Sequence, residues 1–186
     1  MDKSFVLASA SPRRKELLEK AGQTFTILPA EIDETVDDNL SAKQAVKQIA
    51  LKKGLAVSKL TNKPVLSADT VVVFNGAILG KPTSKTDAEN MLKSLSGKTH
   101  SVLTGVALIF GDKIVNECVE TLVTMNDLSD EFINEWISSG KAYDKAGAYA
   151  VQDGGFVSKY DGSYTNIVGL PMEKIEEILK EFSLWQ

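Results

Sequence analysis

The chain has 186 residues, of which 43% are hydrophobic and 25% are charged, a composition typical of a globular protein with a sizeable core. The formal charge of −4 excludes a global positive field for nucleic acid or an anionic membrane, so we expect neither as a partner. Cys118, the only cysteine, cannot form an internal disulfide, and we expect a buried thiol. The apolar run at residues 5–8 is too short for a secretory signal or a membrane span, so we expect one cytoplasmic domain over residues 1–186.

Periodicity and turn signals predict helices and strands that intermingle along the chain. Ser, Thr and Pro mark the helix starts and Gly marks their ends, whereas Asn-Gly and Gly-Asp pairs between β-branched runs indicate hairpins. In chain order we expect a strand at 5–8, a helix from Ser11 and Pro12 to Gly22, a helix from the Ser41 and Gln44 capping box, a hairpin of 64–74 with 77–79, a helix from the Thr86 and Glu89 capping box to Gly97, a hairpin of 102–110 with 114–123, a helix from Ser129 to Gly140, and a helix from Pro171.

Frequent hairpins among these helices favour a mixed sheet over a purely parallel one. A purely parallel, doubly wound sheet has no tight hairpins, because parallel strands need long crossover connections. We therefore expect an α/β or mixed α+β fold, with a mixed sheet and flanking helices. The helical spacing of Phe132 and Trp136 indicates core packing rather than a platform for a ligand. His100, the only histidine, has no serine elbow or second histidine that would make it a nucleophile activator or a metal ligand.

Two adjacent arginines, Arg13 and Arg14, occupy the first turn of the first predicted helix. The partial positive charge of a helix N-terminus repels cations there. A polyphosphate ligand explains the pair, since guanidinium groups and free helix N–H groups both bind phosphate oxygens, and Ser9 and Ser11 can donate nearby. The alternative is that both arginines extend into solvent.

Asp69 lies inside the apolar run 65–74. A lone carboxylate in such a strand is costly unless it is paired, protonated or bound to metal. We interpret Asp69 as the best single catalytic candidate. The alternative is an aspartate that bonds to a neighbouring turn or faces water from the open side of an antiparallel strand, and this is common.

Other polar residues gain weight from their combination. Lys53 falls on an apolar helical stripe and Lys81 follows the Asn-Gly hairpin, and both suit a cationic wall around a triphosphate. Asp33 and Glu34 offer carboxylates for magnesium. Isolated lysines and acidic runs are more often solvated surface groups.

In the glycine-containing segment 144–152, Gln152 is a candidate for reading a base edge, with an ordinary irregular loop as the alternative.

Seven fragments in this order give the chain a wider resemblance: LASASPRRKELL, AEIDE, SADTVV, LGKP, LSGKTHSV, DKAGAYAVQ and SYTNIVGLP. Any one fragment alone is weak evidence. Together they span nearly the whole chain, and the combination of SPRR at a strand–helix junction with ADT, KP and AGAY is specific. In these motifs the chain resembles the Maf family of nucleotide pyrophosphatases.

The resemblance implies a fold like that of inosine triphosphate pyrophosphatases, with two lobes around a cleft, and a homodimer. It also implies hydrolysis between the α- and β-phosphates of a nucleoside triphosphate with a divalent metal, Mg²⁺ or Mn²⁺. The family's binding and catalytic positions fall on Ser9, Arg13, Arg14, Glu34, Lys53, Asp69, Lys81 and Gln152.

We hypothesise that Asp69 orients or deprotonates the attacking water or binds the metal, that Glu34 completes the metal site, and that the cationic side chains stabilise the leaving pyrophosphate. AGAY followed by an apolar residue and Gln resembles the branch that acts on dTTP and UTP rather than the one that acts on 7-methyl-GTP. This chain departs from the first branch at Ala150 and Asp153, where relatives commonly have glycines. A non-catalytic nucleotide-binding regulator of cell division and a nucleotidyltransferase are the competing interpretations.

Overall fold

A mixed β-sheet forms the centre of the molecule. The computed structural model describes residues 3–37 and 39–186, and within them seven strands join one sheet in the order β2-β1-β3-β5-β6-β7, with β4 paired to β3. The β1 pairs with β2 and β3 are parallel, and the remaining pairs are antiparallel. The strands are β1 (Phe5–Leu7), β2 (Phe25–Ile27), β3 (Val65–Phe74), β4 (Ala77–Leu79), β5 (Thr99–Phe110), β6 (Lys113–Met125) and β7 (Val157–Asp161).

Helices cover both faces of this sheet. Two short 3₁₀ turns, Ala146–Ala148 and Val151–Asp153, lie between the fourth helix and β7. No helix in the described part of the chain is long and apolar enough to cross a membrane. The helices are α1 (Pro12–Lys20), α2 (Ala42–Ser58), α3 (Lys85–Leu95), α4 (Asp130–Ser138), α5 (Tyr164–Val168) and α6 (Met172–Glu181).

The long strand β3 divides the molecule, because its side chains alternate between the two faces. On one face, Leu66 packs in a core with α1 and α6, whereas Val72 packs in a second core with α3 and α4. On the other face, Ser67 donates to the carbonyl of Ala50 in α2 at 2.7 Å. Asp69 lies on this same α2 face, at the middle of the strand. The strand β3 therefore contributes to both cores on one face and carries the carboxylate on the other.

A glycine permits the close approach of α2 to the sheet. Gly105 of β5 lies opposite Asp69 in the antiparallel register. A Cβ atom at Gly105 would come within 2.3 Å of the carbonyl oxygen of Val46, which belongs to the α2 backbone. Because position 105 has no side chain, α2 lies low enough on the sheet for Lys53, two turns after Val46, to reach Asp69.

Most predicted elements are present, and one helix start is corrected. The expected mixed α/β fold class is confirmed, and the capping box of Ser41 and Gln44 forms as expected. The capping box predicted at Thr86 and Glu89 is wrong: α3 begins two residues earlier, where the Ser84 side chain accepts from the Asp87 backbone N–H. Asp87 in turn accepts from the Thr83 backbone N–H at 2.8 Å. The Ser84 cap satisfies the helix end first, so Thr86 lies inside the helix.

Three elements were not expected, and one thiol differs from its prediction. β2 and β7 are edge strands whose side chains are mostly exposed, and α5 has only 5 residues. Cys118 lies on β6 and is half-buried rather than fully buried. Partial burial raises the pKa of its thiol.

Candidate active site

A cavity of about 470 Å³ lies between the two cores. This volume is in the usual range for sites that hold a small molecule. Its walls come from α1, α2, β3, the turn after β4, the segment 144–152 and the end of α5. The lining residues that carry charge are Arg13, Arg14, Glu34, Lys53, Asp69, Lys81, Asp144 and Lys145.

The centre of the charged wall is a three-membered ion pair. Lys53 Nζ lies 2.8 Å from Asp69 Oδ1 and 2.9 Å from Glu34 Oε1. The Lys53 and Asp69 side chains are 13% and 12% exposed, whereas Glu34 is 56% exposed. The charge of the Asp69 carboxylate inside the apolar strand is therefore compensated by Lys53.

Arg14 is held by the protein itself. Its Nε donates to the Gly169 carbonyl at 2.8 Å, and Nη1 donates to Ser9 Oγ and to the Ala68 carbonyl at 3.0 and 2.9 Å. Its Nη2 donates to Thr70 Oγ1 at 3.1 Å. Burial lowers the pKa of Arg14 and the Asp69 carboxylate opposes this, but an arginine stays protonated. Four of its five donors bond to residues that the structure describes, which leaves one N–H of Nη2 for a ligand.

Arg13 and Lys145 share a carboxylate at the cavity wall. Arg13 Nη1 lies 3.2 Å from Asp144 Oδ2, and Lys145 Nζ lies 2.7 Å from Asp144 Oδ1. Despite partial desolvation, the pKa of Asp144 is lowered by its hydrogen bonds with Lys145 and Arg13. The contact joins α1 to the segment that follows α4. Asp144 thus pairs with both cations.

The structure brings most of the predicted site residues together. Ser11, Lys81 and Gln152 line the cavity, and Lys81 has no ion-pair partner among residues 3–37 and 39–186. Ser9 contributes behind the wall, through its bond to Arg14. Asp33 does not join the group, because its carboxylate accepts from the backbone and hydroxyl of Thr35 at 2.9 and 2.5 Å. Of Asp33 and Glu34, only Glu34 lines the cavity.

Sequence reasoning missed the charges of the segment after α4. In the sequence Asp144 and Lys145 stand out only as part of a glycine-containing loop, yet both line the cavity and pair with each other. The signal was available, since the two charges directly precede AGAY. Tyr149 and Thr70 also line the cavity. Their positions depend on the tertiary fold, and no local pattern marks them.

The carboxylates of the cavity could hold a divalent ion only if a bound ligand supplied further oxygen atoms. Within the described residues, no group of three or more His, Cys, Asp or Glu side chains is placed to hold a metal ion. Asp69 and Glu34 both reach Lys53 Nζ, so their carboxylates lie close together. Mg²⁺ is commonly held by one or two carboxylates with water and substrate phosphates. Two carboxylates beside a cationic cavity fit that mode.

Comparison with known proteins places the chain in a family. A model of Maf-like proteins matches residues 4–182. The chain belongs to the Maf family. This Maf-like protein is 44% identical over 185 residues to a Bacillus anthracis protein named dTTP/UTP pyrophosphatase, with 98% of this chain and 97% of the relative covered. A Bacillus cereus relative of the same name is also 44% identical over 185 residues, with 98% of this chain and 91% of the relative covered.

Solved structures share the fold of the Maf-like protein. The HAM1 protein of Coxiella burnetii superposes with a TM-score of 0.58 at 15% identity, covering 98% of this chain and 99% of that one. The Ham1 protein of Staphylococcus aureus superposes with a TM-score of 0.50 at 15% identity, covering 67% and 72%. At this identity the likeness concerns the fold alone, and it agrees with the expected mixed sheet and flanking helices.

Proposed function

We propose that this Maf-like protein hydrolyses dTTP and UTP to the nucleoside monophosphate and pyrophosphate. The observation that carries the proposal is a single cavity in which the Asp69 carboxylate lies beside four cationic side chains, Arg13, Arg14, Lys53 and Lys81. The cations offset the negative charge of a triphosphate, and the carboxylate beside them can accept a proton from water. Relatives at 44% identity that are named dTTP/UTP pyrophosphatases support the reaction and its substrates.

Asp69 is the proposed general base. Lys53 fixes its Oδ1 at 2.8 Å, and its Oδ2 makes no hydrogen bond within the described part of the chain. Oδ2 accepts a proton from water while the water oxygen bonds to the α-phosphorus. The bond from that phosphorus to the bridging oxygen breaks, and pyrophosphate leaves with the electron pair. Lys53 acts by holding the carboxylate in one orientation and by adding positive charge near the phosphates.

The remaining cations hold the phosphates and the leaving group. Lys81 is free to pair with a phosphate oxygen, and Arg13 becomes free when it exchanges Asp144 for the substrate. Arg14 supplies charge and its one spare N–H. Ser11 lines the same wall, and Ser9 supports Arg14 from behind.

Asp69 and Glu34 are the proposed protein ligands of Mg²⁺ or Mn²⁺, together with the phosphates of the substrate. When bound, the ion neutralises charge on the phosphates and makes a coordinated water more acidic. Lys53 pairs with both carboxylates, so they already lie close enough together to share one ion. The requirement for a divalent metal follows the family resemblance.

The apolar part of the cavity is the proposed base site. Val102, Tyr149 and Ile167 line it, and Gln152 offers an amide that donates and accepts hydrogen bonds. Uracil and thymine present carbonyl and N–H groups that an amide can match. Of the two departures from the branch pattern, Ala150 lines the cavity, whereas Asp153 lies outside and pairs with Lys141 at 3.1 Å. Only Ala150 is placed to change the preference for a base.

A product assay tests the proposal. The purified chain is incubated with dTTP, UTP, other normal triphosphates, 7-methyl-GTP and modified pyrimidine triphosphates, with Mg²⁺ or Mn²⁺, and products are resolved by chromatography. We expect monophosphate and pyrophosphate in equal amounts, with dTTP and UTP turned over fastest. Diphosphate with inorganic phosphate contradicts the proposed site of cleavage.

The same assay separates the competing functions. A non-catalytic regulator of cell division binds nucleotide without releasing pyrophosphate. A nucleotidyltransferase releases pyrophosphate only with an acceptor and forms a conjugated nucleotide. Faster turnover of 7-methyl-GTP than of dTTP assigns the chain to the other branch. The single domain over residues 1–186, the homodimer and the cytoplasmic location stay predictions.

A further inference from the structure

A buried polar pair lies behind the apolar part of the cavity. His100 of β5 is 3% exposed, and its Nε2 lies 2.7 Å from the hydroxyl of Tyr149, which is 5% exposed. The two rings meet edge to face with centroids 5.4 Å apart. Tyr149 lines the cavity, whereas His100 does not. Neither residue belongs to the charged group around Asp69, and the proposed reaction does not use their ionisation.

The segment that carries Tyr149 has an unusual backbone. Gly147 and Ala148 have φ values of 69° and 65°, in the left-handed region that only glycine adopts readily. Ala148 keeps this conformation because neighbours hold the segment: Trp136 Nε1 donates to the Ala148 carbonyl at 2.7 Å. The Gly147 N–H donates to the Gly80 carbonyl at 3.0 Å. The bond from Tyr149 to His100 is a third anchor, on a third element of the fold.

These anchors fix both ends of the cavity wall. Lys145 lies four residues before Tyr149 and Gln152 three residues after it, and both line the cavity. A shift of the Tyr149 ring therefore moves the apolar wall and the amide of Gln152 together. Burial lowers the pKa of His100 to about 4 and raises the pKa of Tyr149, so both groups are neutral near pH 7. Because both groups are excluded from water, each depends on the other for a hydrogen bond, and the loss of either leaves a costly unpaired polar group.

We propose that His100 is a positioning residue that acts through Tyr149: it fixes the wall against which the base of the nucleotide packs. The pair thereby sets the affinity for the nucleotide and not the rate of bond cleavage. This inference rests on the proposed function for the identity of the ligand. It extends that function by assigning a role to a histidine that touches neither the phosphates nor the reacting atoms.

The experiment uses a double-mutant cycle. His100→Leu leaves the Tyr149 hydroxyl buried without a partner, and Tyr149→Phe leaves the His100 ring without one. We expect each single change to raise the KM for dTTP about tenfold, because the bond that fixes the wall is lost, and His100→Leu to keep kcat within about twofold. The double variant lacks the same single bond, so its KM is expected to be no higher than that of the worse single variant. His100→Gln keeps a polar group near the position of Nε2, so its KM is expected to stay within about threefold of the original.

Controls keep the outcome interpretable. Tyr143→Phe is the matched variant, because Tyr143 lies in the same connection, is 40% exposed and does not line the cavity. Thermal unfolding shows that each variant is folded at the assay temperature. An unchanged KM in both single variants overturns the proposal, as does a fall in kcat at constant KM, or a double variant with the summed defects of the singles.

A binding measurement separates this inference from the proposed function. Calorimetric titration with α,β-imido-dUTP reports affinity without any hydrolysis. If the original chain binds this compound but releases no pyrophosphate from UTP, the proposed function fails while the positioning role is still tested by the dissociation constants. If hydrolysis occurs and all variants bind the compound equally, the positioning role fails while the proposed function stands.

Discussion

At the scale of single residues, the two adjacent arginines of α1 have different environments. Arg14 is bound to Ser9, Ala68, Thr70 and Gly169, so it ties α1 to β3 and to the end of α5. Arg13 is 28% exposed at its side chain, and its one ion-pair partner in the described part of the chain is Asp144. One arginine is therefore a fixed positive charge with a single spare donor, and the other is a group that can change partners. Replacing Arg14 would disturb the fold around the cavity as well as ligand binding.

If the proposed function holds, Asp144 competes with the phosphates of the substrate for Arg13 and Lys145. We expect Asp144→Asn to lower the KM for dTTP several-fold at low ionic strength, because the substrate no longer displaces a carboxylate. The gain should shrink as salt screens the charges. The unfolding free energy should change by less than about 1 kcal/mol, since the Arg13 pair is largely exposed. Steady-state kinetics at two salt concentrations measure the effect.

Asp153→Asn is the control for this prediction. It breaks another ion pair of the same region, with Lys141, outside the cavity. We expect its KM to match that of the original chain. A higher KM for Asp144→Asn would show that Asp144 itself supports substrate binding.

Some site residues were predictable because they break a local pattern. Asp69 is a carboxylate inside an apolar strand, and Lys53 is a cation on an apolar stripe, and the structure places both on one cavity. The bond from Arg14 to the Gly169 carbonyl spans 155 positions of sequence. No local pattern records such a contact. The same holds for His100, whose partner Tyr149 lies 49 positions away.

At the scale of elements, the packing of α2 on β5 determines where Lys53 lies. Gly105 is the point of closest approach, and its register partner on β3 is Asp69. A methyl group at position 105 would push α2 away from the sheet and move Lys53 away from that carboxylate. The site thus depends on a residue that has no functional group.

Gly105→Ala tests this dependence. The new Cβ would lie 2.3 Å from the Val46 carbonyl oxygen, and a backbone atom cannot yield as a flexible side chain does. We expect a loss of about 2 to 3 kcal/mol in unfolding free energy, measured by urea denaturation. Turnover should fall as well, because the Lys53 and Asp69 pair is displaced.

Gly80→Ala is the matched control for stability. A Cβ at Gly80 would meet nothing within 4 Å, and Gly80 has no positive φ. We expect its unfolding midpoint to stay close to that of the original chain. Equal midpoints for Gly80→Ala and Gly105→Ala would contradict the close approach of α2.

Elements with strong local signals were predictable, and exposed or short ones were not. The Asn75-Gly76 hairpin forms with positive φ at both residues, which is the turn that this pair favours. β2 and β7 lie at the sheet edges with mostly exposed side chains, so they lack the alternation that marks a strand. At α3, Ser84 and Thr86 both offer a capping hydroxyl, and the fold selects Ser84.

At the scale of the whole molecule, one sheet joins two cores and the cavity opens between them. The core that holds Leu66 anchors α1 with its arginines, and the core that holds Val72 anchors the segment with Tyr149. The order of these parts along the chain made the mixed fold predictable. The cavity itself was not, because it depends on how two distant cores are spaced by β3.

Burial of His100 makes the stability of the molecule depend on pH. The pKa of His100 is lowered from 6.5 to about 4 in the folded chain, so below pH 6.5 the unfolded chain takes up a proton that the folded chain does not. Stability is therefore lost as pH falls from about 6.5 toward 4. We expect a loss of about 2 kcal/mol between pH 7 and pH 4.5 from this group. Urea denaturation at both pH values measures it.

His100→Gln isolates this contribution, because His100 is the only histidine of the chain. The variant keeps a polar partner for Tyr149 but does not titrate in this range. Its loss of stability between the two pH values should be smaller than that of the original chain. Equal losses would show that carboxylates, rather than His100, cause the pH dependence.

The turnover of Asp69→Asn tests the central claim most directly. The asparagine keeps the shape of the side chain but cannot accept a proton from water. We predict that kcat for dTTP falls by about 100-fold to 10,000-fold, the range for loss of a general base, while the affinity for α,β-imido-dUTP changes only several-fold. Asp153→Asn, outside the cavity, should keep full turnover. Unchanged turnover in folded Asp69→Asn would contradict the account.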